Sequence, residues 1–162
     1  MFALKLFTVL GSGLVAGVFF AFSTFVMQAL AKLPPPQGIA TMQSINITVI
    51  NPLFMTVFLG TSVACAFLLV SLLLKWLKWH QPGAVYLLIG ALFYLVGTFG
   101  VTIVFNVPLN EALAKVKPES TDGASLWASY LKEWTFWNHV RTVAALVAAA
   151  LLTIALREGV AI

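Results

Sequence analysis

Arg141 and His139 are the two side chains of this sequence best suited to chemistry, and they lie two positions apart near its carboxyl end. The guanidinium of Arg141 stays charged, so in apolar surroundings it must find an anion or an uncharged acceptor. The imidazole of His139 can take and return a proton near neutral pH, as a general base must. The sequence therefore predicts a catalytic pair, with His139 as the base and Arg141 as the group that stabilises negative charge.

Six further side chains could bind a substrate beside this pair: Asn46, Asn51, Asn106, Asn110, Trp134 and Asn138. An amide offers both donors and an acceptor, and an indole offers a flat apolar face. Asn138 precedes Arg141 by three positions, which places both on the same face of a helix. Asn106 and Asn110 flank Pro108, and a structural interpretation stays open for them, because they could bond carbonyl groups of a broken helix.

The composition identifies the elements that must position these residues. Of the 162 residues, 61% are hydrophobic and only 9% are charged, and the mean hydropathy is +1.01. The apolar residues fall into four long blocks rather than the short alternating runs of a barrel. We predict an all-α bundle of four transmembrane helices in one domain, residues 1–162, with spans at about 6–30, 52–74, 84–105 and 138–156.

The segments between these blocks carry helix breakers and aromatic residues. Prolines 34–36 stop the first span, residues 38–51 form a loop or a surface helix, and Pro108 is expected to end the third span. Four aromatic residues then recur at a helical spacing: Trp127, Tyr130, Trp134 and Trp137. They predict an interfacial helix in the third loop. Gly13 and Gly17, four residues apart, favour close packing against another helix.

All eight candidate residues lie at the end of the spans that carries the first and third loops. Polar side chains at membrane depth are costly unless they pair or line a cavity, so their gathering predicts a site at this end. Simpler interpretations stay open, in which Arg141 reaches a lipid phosphate and His139 bonds water at the membrane surface.

Charge and repetition bear on the topology. An even number of spans places both termini on one side, and the acids of the long third loop lie on the other. The positive-inside rule then predicts cytoplasmic termini. The segment 29–33 recurs in similar form at 112–116, each time after an odd-numbered span, while Asn51 and Asn138 each open an even-numbered one. Two duplicated helical hairpins would explain this echo, and chance similarity is the alternative.

The sequence predicts neither a metal nor an organic cofactor. Glu111 and Glu133 lack the spacing of a metal-ligand set, and no flavin or nicotinamide fingerprint occurs. Nine basic residues without a dense run argue against nucleic-acid binding. The expected partners are the lipid bilayer and an apolar aromatic small molecule, and assembly into a homo-oligomer is open.

Four motifs, in this order along the chain, resemble the anthrone oxygenase-like family of small four-helix membrane proteins. They are AGVFFAFS at 16–23, MQSIN at 42–46, NVPLN at 106–110 and WTFWNHVRT at 134–142. Most members of that family are bacterial proteins of unknown role, and its named members are fungal enzymes that oxidise polyketide anthrones to anthraquinones.

The resemblance implies an oxygenase that needs no metal or organic cofactor. His139 would remove a proton from an electron-rich aromatic ketone, and the anion would react directly with dioxygen. Arg141 and four amides would stabilise the anion, those of Asn46, Asn106, Asn110 and Asn138. Trp134 and Trp137 would stack on the flat substrate. The many bacterial members of the family also imply a bacterial inner (plasma) membrane for this chain. The alternative is a non-enzymatic membrane protein that binds a lipid, a quinone or a partner subunit through the same polar end.

Overall fold

The computed structural model describes residues 1–74 and 81–158, and helices dominate both ranges. The helices are α1 (Phe2–Ala31), α2 (Pro35–Thr48), α3 (Pro52–Leu73), α4 (Gly83–Ala114) and α5 (Thr121–Glu158). Of these, α1, α3, α4 and α5 are long and apolar enough to cross a membrane, so the predicted four-span, all-α architecture is confirmed. The short loop predicted after the second span lies mostly outside the described residues.

The four long helices neighbour one another in chain order, and α5 closes the bundle by packing on α1. The longest helix, α5, packs on both α1 and α4, and α2 contacts it as well. Large apolar side chains such as Leu14, Val63 and Val96 are exposed on the outside of the bundle. An apolar exterior of this kind suits a lipid bilayer, where no water competes for the surface.

Three layers of buried apolar side chains fill the bundle, and they are named here by position. The central layer contains Val15, Phe19, Phe58, Cys65, Ala91, Tyr94, Ala148 and Leu152. The aromatic layer, at the end that carries α2, contains Met27, Leu30, Ile39, Met42, Leu113, Trp127, Tyr130 and Trp134. The far layer, at the opposite end, contains Leu68, Leu72, Ala84, Leu87 and Ala155.

The prediction that Pro108 ends the third span is wrong, because α4 continues through it to Ala114. The residues before it, Thr102–Asn106, form a π-helical turn, and Pro108 lies in the first turn of the α-helical segment that follows. A proline is tolerated in such a first turn, because its missing N–H would have had no regular partner there. The wider turn thus lets the chain pass a proline without breaking the helix.

The aromatic segment after α4 is helical as predicted, but it is continuous with the fourth span. Trp127, Tyr130 and Trp134 are buried in the first half of α5, where they face the bundle rather than the membrane surface. Asn138 consequently lies inside α5 and does not open a helix, contrary to the prediction. Burial of three large rings against α2 explains why this segment stays attached to the bundle.

The two segments that echo each other in sequence end their helices in the same geometry. Lys32 follows α1 with φ −84° and ψ −13°, and Lys115 follows α4 with φ −86° and ψ −15°. Each lysine N–H donates to the carbonyl three residues before it, and the preceding Leu30 and Leu113 are both buried in the aromatic layer. This agreement supports a duplication of two hairpins.

Close packing of α1 on α3 occurs at Gly11 and not at the predicted glycines. Gly13 and Gly17 face outward, with open space where a Cβ would lie, so within this chain they pack on nothing. A Cβ at Gly11 would instead collide with the hydroxyl of Thr61 on α3.

Candidate functional site

A layer of polar side chains lies between the central and aromatic layers, where α1, α4 and α5 meet. Its members, called here the polar layer, are Ser23, Thr98, Thr102, Asn106, Asn138, Arg141 and Thr142. On α5, Asn138, Arg141 and Thr142 follow one another at helical spacing and therefore point to one side.

Widened helical turns carry the polar residues that α1 and α4 contribute. Ser23 lies in the π-helical segment Phe22–Val26 of α1, and Thr98 lies in the segment Phe93–Gly100 of α4. Thr102 and Asn106 begin and end the next such segment. Short π-helical turns inside α-helices occur often at functional sites. Their coincidence with the polar layer supports a role for this layer beyond packing.

Asn138 is fully buried and joins α1 to α5. Its amide nitrogen donates to the carbonyl of Phe19 at 2.8 Å and to the hydroxyl of Ser23 at 2.7 Å. Its amide oxygen accepts from Nε of Arg141 at 2.9 Å. Every polar atom of this amide is therefore in use, and the bond to Arg141 fixes where the guanidinium lies.

Arg141 is only 5% exposed, and its charge is held by neutral groups. The guanidinium carbon lies 4.0 Å from the ring centroid of Phe19 and 4.7 Å from that of Trp134. One terminal nitrogen donates to the hydroxyl of Thr102 at 3.3 Å. Within the described ranges no carboxylate forms an ion pair with Arg141, and two of its five N–H groups have acceptors. Three of its N–H groups therefore have no acceptor within the described residues.

Asn106 is fully buried, and only one of its two polar side-chain atoms has a hydrogen-bond partner in the described residues. Its amide nitrogen donates to the carbonyl of Trp134 at 3.2 Å, while its amide oxygen accepts from nothing in the described chain. Buried polar atoms nearly always have partners, so this oxygen is an acceptor in need of a donor.

A hydrogen bond and a stacked ring hold the indole of Trp134 in place. Asn110 accepts hydrogen bonds from both the Trp134 indole and the Tyr130 hydroxyl, each at 2.8 Å. The Trp134 and Tyr130 rings stack at 6.1 Å between centroids, and Asn46 approaches the Tyr130 hydroxyl. Asn110 therefore supports the site indirectly by fixing the Trp134 ring that lies against Arg141.

Two predicted residues do not join this cluster. His139 is exposed, because a separation of two positions on a helix turns its side chain away from Arg141. Asn51 caps α3, accepting from the N–H of Phe54 at 3.0 Å and donating to the carbonyl of Thr48 at 3.0 Å. The role of His139 as a base stays a prediction, but the structure gives it no contact with the polar layer.

The sequence interpretation missed the hydroxyl members of the layer and Phe19. Ser23 and Thr142, 3.1 Å apart between their oxygens, each end one of the motifs quoted above, which was a usable signal. Thr102 could have been found from its spacing of four residues before Asn106. Hydroxyl residues are common in apolar helices, where they bond the carbonyl one turn back, so type alone does not single them out.

Two further observations direct attention to the polar layer. No group of three metal-binding side chains lies together in the described residues. An open apolar groove of about 520 Å³ lies between α1 and α3, lined by Leu4, Phe7, Gly60, Val63, Ala64 and Phe67. No member of the polar layer lines it, so we place the candidate site at Arg141.

Four long apolar helices around a buried arginine, which forms no ion pair within the described residues, define a small integral membrane protein with a polar layer in its interior. Comparison with family models finds a match between residues 54–151 and the model described as anthrone oxygenase. Because the match covers more than half of the chain, this protein belongs to the anthrone oxygenase family. The matched region includes Asn106, Trp134, Asn138 and Arg141. No curated protein and no solved structure matches the chain.

Proposed function

We propose that this protein is a membrane oxygenase of flat aromatic ketones such as anthrones, and that it binds the ionised form of its substrate at Arg141. The supporting observation is the buried guanidinium, which has three unused N–H groups and no carboxylate beside it. A cation in such surroundings favours an anionic ligand strongly, because water does not screen the attraction. The adjacent rings of Phe19 and Trp134 suit a flat aromatic ligand.

The proposed reaction begins with loss of a proton from the methylene carbon of the substrate, which leaves an enolate with its charge on the ketone oxygen. Arg141 stabilises this charge and so favours the ionised substrate. The enolate carbon gives an electron pair to dioxygen, and a C–O bond forms. The resulting peroxide anion takes up a proton from solvent. Its O–O bond and the second C–H bond then break, and the outer oxygen leaves as water with both protons. One oxygen atom stays in the new ketone, and the other is reduced to water.

In this mechanism the first proton goes to a solvent base, because the polar layer contains no carboxylate or imidazole. A base function for His139 would require the substrate to contact the outer face of α5. We therefore expect a His139→Ala variant to keep most of its activity. A loss of activity comparable to that of an Arg141 variant would restore His139 as the base.

The decisive measurement is dioxygen uptake by detergent-purified protein with anthrone, corrected for the spontaneous rate. We expect uptake by the native chain and a loss of about 100-fold or more in Arg141→Met, because removing one preorganised charge-stabilising group commonly has that effect. Arg157→Met is the matched control, since Arg157 is exposed at the other end of α5. Monodispersity and helical content must be equal for all variants.

Two results would contradict the proposal. Uptake no faster than the spontaneous rate would exclude the oxygenase activity, and equal uptake by Arg141→Met would exclude this site. Anaerobic binding of 2-naphthoate, a flat aromatic anion that needs no oxidation, separates these possibilities. Binding that depends on Arg141 without any uptake would identify a binding protein.

A further inference from the structure

The amide oxygen of Asn106 has no hydrogen-bond partner among residues 1–74 and 81–158, although its side chain is wholly buried. The mechanism above uses Arg141 to bind an anion but gives this acceptor no role. A buried acceptor without a donor destabilises a fold, so its retention calls for a partner that the chain itself does not supply.

Shared neighbours place Asn106 beside the guanidinium of Arg141. Thr102, which accepts from Arg141, lies four residues before Asn106 in the same π-helical segment of α4. Asn106 donates to the backbone of Trp134, whose ring lies 4.7 Å from the guanidinium carbon. The unpaired acceptor and the unpaired donors therefore flank the same part of the polar layer.

The orientation of the Asn106 amide follows from its surroundings. The carbonyl of Trp134 can only accept, so the amide nitrogen must face it and the oxygen must point away. The opposite orientation would set two oxygen atoms against each other. The free group is thus an acceptor, and its missing partner is a donor.

We propose that Asn106 determines specificity by accepting a hydrogen bond from a hydroxyl group of the ligand whose anionic oxygen binds Arg141. The ligand class is then a flat aromatic anion that carries a hydroxyl at a second ring position. This inference rests on the proposed binding of an anion at Arg141, and adds a second point of recognition to it.

The test is a binding series with 2-naphthoate and its ring-substituted isomers, in which one position carries hydrogen, fluorine or hydroxyl. Fluorine resembles a hydroxyl in size but donates no hydrogen bond. We expect one hydroxyl isomer to bind about fivefold more tightly than its fluorine counterpart, which corresponds to one neutral hydrogen bond. In Asn106→Leu, which has no acceptor, this ratio falls to about one.

Thr61→Val is the matched control, because Thr61 also has a buried, unpaired oxygen but lies outside the polar layer. It should leave the ratio unchanged. The inference is overturned if no hydroxyl isomer is preferred by the native chain, or if the preference persists in Asn106→Leu. Should Asn106→Leu not fold, Asn106→Ala, which is smaller and also lacks the acceptor, takes its place.

The series also separates this inference from the proposed function. Loss of all naphthoate binding in Arg141→Met supports the anion site whatever the hydroxyl preference is. Naphthoate binding that does not depend on Arg141 would instead remove the proposed site itself.

Discussion

At the scale of single residues, the main feature is the buried guanidinium of Arg141, which forms no ion pair with a carboxylate of the described residues. Arg141 lies against two ring faces and bonds two neutral oxygens. A contact between a desolvated cation and an aromatic face contributes roughly 2 kcal/mol, so two such contacts offset part of the desolvation of the charge. In the proposed function, an anionic ligand would offset the rest of this desolvation cost.

Asn138 is the residue on which the position of Arg141 depends, and replacing it tests that dependence. Asn138→Leu removes hydrogen bonds to Phe19, Ser23 and Arg141 at similar volume. We expect the free energy of unfolding to fall by about 2 kcal/mol, because a buried carbonyl and a buried N–H lose their partners. Reversible unfolding in mixed detergent and SDS micelles measures this change.

The control for that experiment is Thr24→Val, since Thr24 is exposed on α1 and bonds only the carbonyl one turn back. Its stability should match that of the native chain. An Asn138→Leu variant as stable as this control would show that the amide does not anchor the layer.

The sequence could predict part of this site and not the rest. The spacing of three residues between Asn138 and Arg141 is a local property of a helix, and the structure places both in one cluster. The orientation of His139 could also have been read from its separation of two positions from Arg141, which turns it to the other face. The pairing of Asn106 with the backbone of Trp134 joins two helices, and no local pattern encodes such a contact.

At the scale of elements, the widened turns decide which side chains reach the polar layer. The four apolar blocks predicted the spans, because a membrane imposes a length and a composition on each. The continuation of α4 through Pro108 was not predictable, since it depends on a π-helical turn that no residue pattern marks. The aromatic segment and the fourth span form one continuous helix, and this continuity likewise depends on the burial of Trp127 and Tyr130 against α2.

The contact of α1 with α3 gives a test at this scale. Gly11→Ala should lower the free energy of unfolding by about 1–3 kcal/mol, because the added methyl group meets Thr61 in a filled interior. Gly13→Ala, two residues further on the same helix, meets open space. It should be neutral or should stabilise the chain by up to about 1 kcal/mol through helix propensity.

Thermal unfolding in one detergent compares the two alanine variants directly. Equal midpoints for both would contradict the packing of α1 on α3 described above.

At the scale of the whole molecule, the chain alternates apolar and polar layers along the membrane normal. The aromatic layer covers the polar layer on one side, and the central and far layers extend over the rest of the bundle. The two hairpins, α1 to α3 and α4 with α5, differ at this level, because Pro52 starts a separate helix in the first while α5 runs unbroken in the second. The second hairpin supplies six of the seven residues of the polar layer, and the first supplies Ser23.

This layering has an electrical consequence. The central layer contains side chains from all four spans, among them Val15, Cys65, Tyr94 and Ala148, each 0% exposed. Ions and protons need a continuous row of water or polar groups, which such a layer interrupts. Vesicles containing the protein should hold an imposed pH gradient as long as protein-free vesicles do, as a pH-sensitive dye can record.

A leak that grows with the amount of protein would show that the central layer admits water. If no such leak occurs, the bundle blocks the flow of ions although it contains the buried charge of Arg141. Many copies could then work in an energised membrane without lowering the potential across it.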